Sequence, residues 1–91
     1  MEVATSEERT LKVLIAVNRV GAWGGAAAKE VAASLTGMGR PELAAQATLY
    51  RLMSEARKAG LLTFGPIFGW RAWSLTEAGR KAIRLGRLPR A

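Results

Sequence analysis

The side chains of this chain that could do chemistry are cations, amides and hydroxyls, and what they could do is bind. Arg80, Lys81, Arg84, Arg87 and Arg90 put five positive charges into eleven consecutive residues. A run of that kind grips phosphates and contributes a salt-dependent, sequence-independent share of affinity. It equally describes a tail that only solubilises. Gln46, Tyr50, Arg51, Ser54 and Arg57 form a second set, at spacings that put them toward the outside of a predicted helix. A solvated helix face would carry the same residue types, and Glu42 and Glu55 in the same stretch would repel phosphate.

Catalytic chemistry has little to work with. The chain has no His and no Cys, which removes zinc sites, disulfides and the Ser–His and Cys–His nucleophile pairs. All seven acids are Glu, so Asp-based metal and phosphoryl-transfer chemistry is absent as well. Gly37-Met38-Gly39 is too short and isolated for a phosphate loop. A non-enzyme without metal or cofactor is expected. Fourteen Lys and Arg against those seven Glu give a net charge of +7 and a sequence pI near 11.2. That balance suits a polyanion, nucleic acid first and an acidic membrane surface second.

The 91 residues are 49% apolar, enough for one small core. A single domain over 1–91 is expected, with an N-terminal tail over 1–5 and a basic C-terminal tail over 86–91. No apolar stretch approaches the roughly 18 residues a bilayer requires. The opening residues are acidic where a signal peptide would be basic. A cytoplasmic location is therefore expected, on the nucleoid if the source is prokaryotic, with no membrane partner. Asn18 and Gln46 are the sole residues of their types beside ten Arg, which fits a thermophile or a high-GC genome.

Positioning elements follow from periodicity. Thr5 and Glu8 have the spacing of a capping box, and Glu7 and Glu8 sit where a helix N-terminus favours negative charge. Leu11, Leu14, Ile15 and Asn18 share a stripe widened by Val13, Val17 and Val20, predicting a helix over 6–20. Gly21 ends it, and Gly24-Gly25 marks a loop in which Trp23 reads as a short strand or a plug over the core. Ala28, Val31, Ala32 and Leu35 predict a second helix over 26–36. Pro41 suits the first position of a third helix, over 41–59, with Leu49, Leu52, Met53 and Ala56 inward and Gly60 as its C-cap. Residues 61–64 and 70–75 read as strands joined by a loop over 65–69. Thr76 caps a last helix over 77–85, and the tail after it frays. The class is mainly α with a small β-hairpin, an α+β fold.

Helix, helix, helix, hairpin, helix is the order of a winged helix-turn-helix domain. The segment from Leu52-Met53-Ser54-Glu55 through Ala59-Gly60-Leu61-Leu62 resembles the end of the recognition helix and the wing start in MarR-like and PadR-like transcriptional regulators. Ser74-Leu75-Thr76-Glu77-Ala78-Gly79-Arg80 is similar to the stretch that closes the wing in the same families. The resemblance covers about residues 7 to 86. It implies a three-helix core, a two-stranded wing and a C-terminal helix, with the third helix in the major groove of double-stranded DNA. Gln46, Thr48, Tyr50 and Arg51 would then contact DNA, with Arg40 where that helix begins and Arg71, Arg80 and Arg84 on phosphates. The connection over 36–40 exceeds the family's tight turn, so either the turn is enlarged or the third helix starts early.

The wing departs from a DNA-reading one. Its tip is Gly-Pro-Ile-Phe-Gly-Trp, with Arg71 its one charge. Strand alternation puts Trp73 and Leu75 inward and Trp70, Ala72 and Ser74 outward. Ile67, Phe68 and Trp70 then form an exposed apolar tip. Such a tip makes a dimer or protein contact, folds back on Trp23, or wedges into nucleic acid. The expectation is a homodimeric DNA-binding protein, a transcriptional regulator or chromatin-associated factor. Its rivals are a winged-helix subunit of a transcription or replication assembly, binding protein through the apolar wing, and an RNA- or ribosome-associated protein.

Overall fold

Along α1 (Ser6–Val20) the buried row is Thr10, Val13, Leu14 and Val17, with Ala16 beside it. This is an i, i+3, i+4, i+7 pattern, the narrowest stripe that keeps one helix face against a core. Ile15 is only half-buried and Asn18 is exposed, so the expected stripe is shifted toward Val13. The chain is described here by a computed structural model covering residues 6–21, 25–67 and 70–89, at Ile67 and Trp70 for the backbone. The expected positions of Thr5, Trp23 and Phe68 lie outside the described residues.

The fold is α+β: among the described residues, four α-helices and one two-stranded antiparallel hairpin. Helix α2 (Ala28–Gly37) starts two residues later than its apolar spacing predicts. The reason is a bridge: Ala26 is extended and exchanges both backbone hydrogen bonds with Trp73, at 2.8 and 2.9 Å. The Ala27 amide donates to the Glu30 carboxylate at 3.0 Å, satisfying a donor at the start of α2.

The third helix does not begin at Pro41. The Leu43 and Ala44 amides donate three residues back, to Arg40 and Pro41, closing a 3₁₀ turn over Pro41–Leu43. Ala45 then turns extended (φ −59°, ψ 131°), and α3 runs Gln46–Lys58. Of the two readings of the long connection, the enlarged turn is correct. Its 3₁₀ segment drops Leu43 into the core, fully buried. Leu49, Leu52, Met53 and Ala56 of α3 face inward as their spacing predicts.

Strand β1 is Leu62–Ile67 and β2 is Trp70–Leu75, paired from Leu62 with Leu75 to Ile67 with Trp70. Residues 65–67, expected in a loop, belong to β1. Pro66 is compatible with this because β1 is an edge strand among the described residues. Trp73 and Leu75 are buried as alternation requires, but Ala72 is buried too and Ser74 half-buried, so the second side of β2 is covered as well.

The end of α3 and the start of α4 (Glu77–Leu85) are welded together. Gly60 takes φ +79°, and the Leu61 amide reaches back to the Ala56 carbonyl at 2.9 Å, ending α3 in a left-handed cap. The Thr76 hydroxyl donates to the Gly60 carbonyl at 2.6 Å and accepts from the Gly79 amide at 3.0 Å, capping α4 as predicted. The Thr76 amide donates to the Leu61 carbonyl at 3.1 Å. At the far end Gly86 (φ 72°) closes α4. The residues after it turn back, the Leu88 amide donating to the Glu7 carboxylate at 3.1 Å. That end of the expected fraying tail is therefore tied to α1.

Gly79 faces this junction so closely that a Cβ would stand 2.2 Å from the Leu61 carbonyl oxygen, whereas a Cβ at Gly37 would meet nothing within 4 Å. Gly79→Ala is expected to destabilise the chain by about 2–3 kcal/mol, the cost of forcing atoms into a packed site. Gly37→Ala should be neutral or stabilising by up to about 1 kcal/mol. Urea unfolding of both variants checks this pair, and equal midpoints would remove the close approach as a constraint.

Candidate nucleic-acid interface

A helix advances about 100° per residue, so the core stripe of α3 fixes where its other side chains go. Gln46, Tyr50 and Arg57 fall within about 40° of one another, on the flank toward the hairpin. Arg51 and Lys58 point directly away from the core. Thr48 lies on the opposite flank, about 160° from Tyr50, with Glu55 beside it. The four expected reading residues are therefore split: Gln46 and Tyr50 together, Arg51 outward, Thr48 half-buried and turned away.

Gln46 and Tyr50 line a groove of about 840 Å³ between α3, the start of α2 and the hairpin. Its floor is apolar: Leu49 and Met53 from α3, Ala32 from α2, and Phe64 and Trp73 from the strands. Phe64 and Trp73 lie with ring centroids 4.8 Å apart, tilted by 47°. Lys29, Arg57 and Arg71 contribute the charges, and among the described residues no carboxylate lines the groove. The Arg71 guanidinium sits over the Phe64 ring, 5.3 Å from its centroid. This cation–π contact holds the charge at the mouth of the groove rather than leaving it on a free stem. Tyr50 is 69% exposed at the same mouth.

Arg40, expected among the DNA contacts, is otherwise engaged. Its Nε donates to Glu42 at 2.8 Å, and its two terminal nitrogens donate to both oxygens of Glu8, Nη2 to Oε2 at 3.0 Å. The fork joins α1 to the connection before α3. Hydrogen bonds from Arg40 hold the Glu8 and Glu42 carboxyls below the ordinary glutamate range, and those carboxylates raise the guanidinium's own affinity for its proton.

Arg80 and Arg84 are exposed on α4 and do not line the groove. The side chains expected to make a dimer or partner surface, Ile67, Phe68 and Trp70, lie outside the described residues. Sequence reasoning left Arg57 and Lys29 out of the site. Arg57 was within reach of it, being seven residues after Tyr50 and therefore on the same face. Lys29 was not, because its place depends on how α2 is set against the hairpin. Comparison with protein-family models, with curated proteins and with solved structures gives no match.

A carboxylate whose folded value lies below its unfolded one adds stability that is complete above the unfolded value and lost as pH falls through the folded one. Wild type should therefore melt higher than Arg40→Ala by about 3 °C near neutrality, a small gap because the partners are partly solvated. The gap should hold down to about pH 4.5, the ordinary glutamate value, and shrink below it. Melting curves across an acid series measure it, and a gap that ignores pH would remove these ion pairs as its source.

Proposed function

We propose that this chain is a nucleic-acid-binding domain of the winged-helix type that reads duplex DNA with α3, as a transcriptional regulator or chromatin-associated factor. The observation that carries this reading is the one-signed rim around α3: Lys29, Arg57 and Arg71, with no lining carboxylate among the described residues. Arg51 and Lys58 place two further cations on the outward face of the helix, with Glu55 one turn after Arg51.

Two further features support it. Helix α3 begins at Ala45 without a side-chain cap, leaving its first amides directed at incoming negative charge. The element order and the Ala26–Trp73 bridge, which adds a third extended segment beside the hairpin, suit a winged helix with the hairpin as wing. Phosphate contacts at the rim would position the duplex, and Gln46 and Arg51 carry the donors and acceptors that distinguish base edges.

Binding of a blunt duplex over a salt series tests this. Each phosphate contact contributes about 0.9 to the slope of log affinity against log salt, so Lys29→Ala/Arg57→Ala, which removes two rim cations, should flatten that slope by about 2. Arg40→Ala should leave the slope alone, since its donors already serve Glu8 and Glu42. Absence of duplex binding at low salt, or a slope indifferent to the double variant, overturns the reading.

A further inference from the structure

The groove beside α3 has more apolar floor than a duplex can use. A duplex offers a protein its phosphates and the edges of its bases, while the flat faces of those bases stay stacked inside. Leu49, Met53, Phe64 and Trp73 make a trough that neither edges nor phosphates would fill. At about 840 Å³ it lies within the range of about 300–1,000 Å³ found for clefts that take small-molecule ligands. Its cations sit on the lip and its apolar surface lies below. Such a site complements a unit with a flat apolar face and an anionic link on either side.

An unpaired nucleotide has that constitution. Once out of the stack, its base presents a π-face to aromatic side chains and its phosphates run along a basic edge. Tyr50 is exposed at the lip and pairs with no other ring among the described residues. Gln46 lies one turn before it and Ser54 one turn after, both in the groove wall, offering donors and acceptors to a base edge. Arg71, parked on Phe64, is held where a phosphate would pass.

We propose that the groove between α3 and the hairpin takes an unpaired nucleotide segment, its base stacked on Tyr50 and its phosphates on Lys29, Arg57 and Arg71. This rests on the nucleic-acid reading above and narrows it. The preferred substrate is nucleic acid with single-stranded nucleotides, such as an overhang or an opened stretch, rather than uninterrupted duplex.

The test compares three fluorescent probes at one salt concentration: a blunt duplex, the same duplex with an oligodeoxythymidine overhang, and oligodeoxythymidine alone. Stacking of one base on an aromatic side chain corresponds to about 5- to 150-fold in affinity. The overhang should therefore improve binding at least about 5-fold over the blunt duplex. Tyr50→Ala should bring the ratio of overhang to blunt-duplex affinity down to about 1, and Tyr50→Phe should retain the wild-type ratio, because the face and not the hydroxyl is used. Thermal melts confirm that the variants are folded, and the wild-type overhang gain stands as a measure that needs no variant.

Equal binding of the blunt and overhang probes by wild type would overturn this inference and leave the duplex reading in place. Binding of none of the three would overturn both. A Glu-rich peptide bearing Leu and Phe that displaces nothing from the duplex yet binds the free chain in a Tyr50-dependent manner, with no overhang gain, would assign the groove to protein instead.

Discussion

The geometry of the molecule depends on one close approach, the α4 backbone at Gly79 set against the carbonyl of Leu61. There is no room between them for a methyl group. The Thr76 hydroxyl stitches the same place, bonded on one side to the Gly60 carbonyl and on the other to the Gly79 amide. In this small volume α3 ends, β1 begins, β2 ends and α4 begins. The angle at which the hairpin leaves α3 is fixed here, and with it the width of the groove between them. Leu61 and Leu62, both buried, anchor that angle from below. A looser junction would let the hairpin swing, and Arg57 and Arg71 would cease to share a rim.

The charge distribution is shaped as much by where the acids go as by where the bases sit. Glu7 accepts from the Leu88 amide, Glu30 from the Ala27 amide, and Glu8 and Glu42 from Arg40. Each is tied to its own chain, at a helix start or across a connection, with Glu55 turned to the far flank of α3. Among the described residues the charges lining the groove are cations alone. A modest excess of +7 over the whole chain thereby becomes a locally one-signed edge, which is what steers a polyanion. Arg40, expected as a contact from its place ahead of α3, is engaged by a carboxylate 32 residues earlier, a partner no local spacing reveals.

Much of the fold was legible because its signals are local. The bounds of α1 and α4, the inward stripe of α3, the Gly60 turn and the Thr76 cap each follow from spacings of a few residues. The α+β class followed with them. What escaped was set by partners distant in the chain. Ala26 was drawn out of α2 by Trp73, the 3₁₀ turn was held by Leu43 in the core, and Val13 took the place expected of Ile15. Pro66 and Gly65 read as loop residues, yet pairing with Arg71 and Ala72 drew them into β1. The site was half legible. Gln46, Tyr50 and Arg71, expected as DNA contacts, share one groove, which no local spacing in the sequence foretells. Thr48 was grouped with them by adjacency, which on a helix separates side chains rather than uniting them.

The bridge between Ala26 and Trp73 has a bearing on how the folded chain behaves in company. A two-stranded sheet has two open flanks, each a template on which another chain can extend itself. On the β2 flank, Ala26 already satisfies the amide and carbonyl of Trp73, so a visiting strand would have to displace it. On the β1 flank, Pro66 removes one donor and Gly65 offers no side chain to pack against. Each side thus carries its own stop against edge-to-edge pairing, while Phe64 and Trp73 stay turned toward the groove.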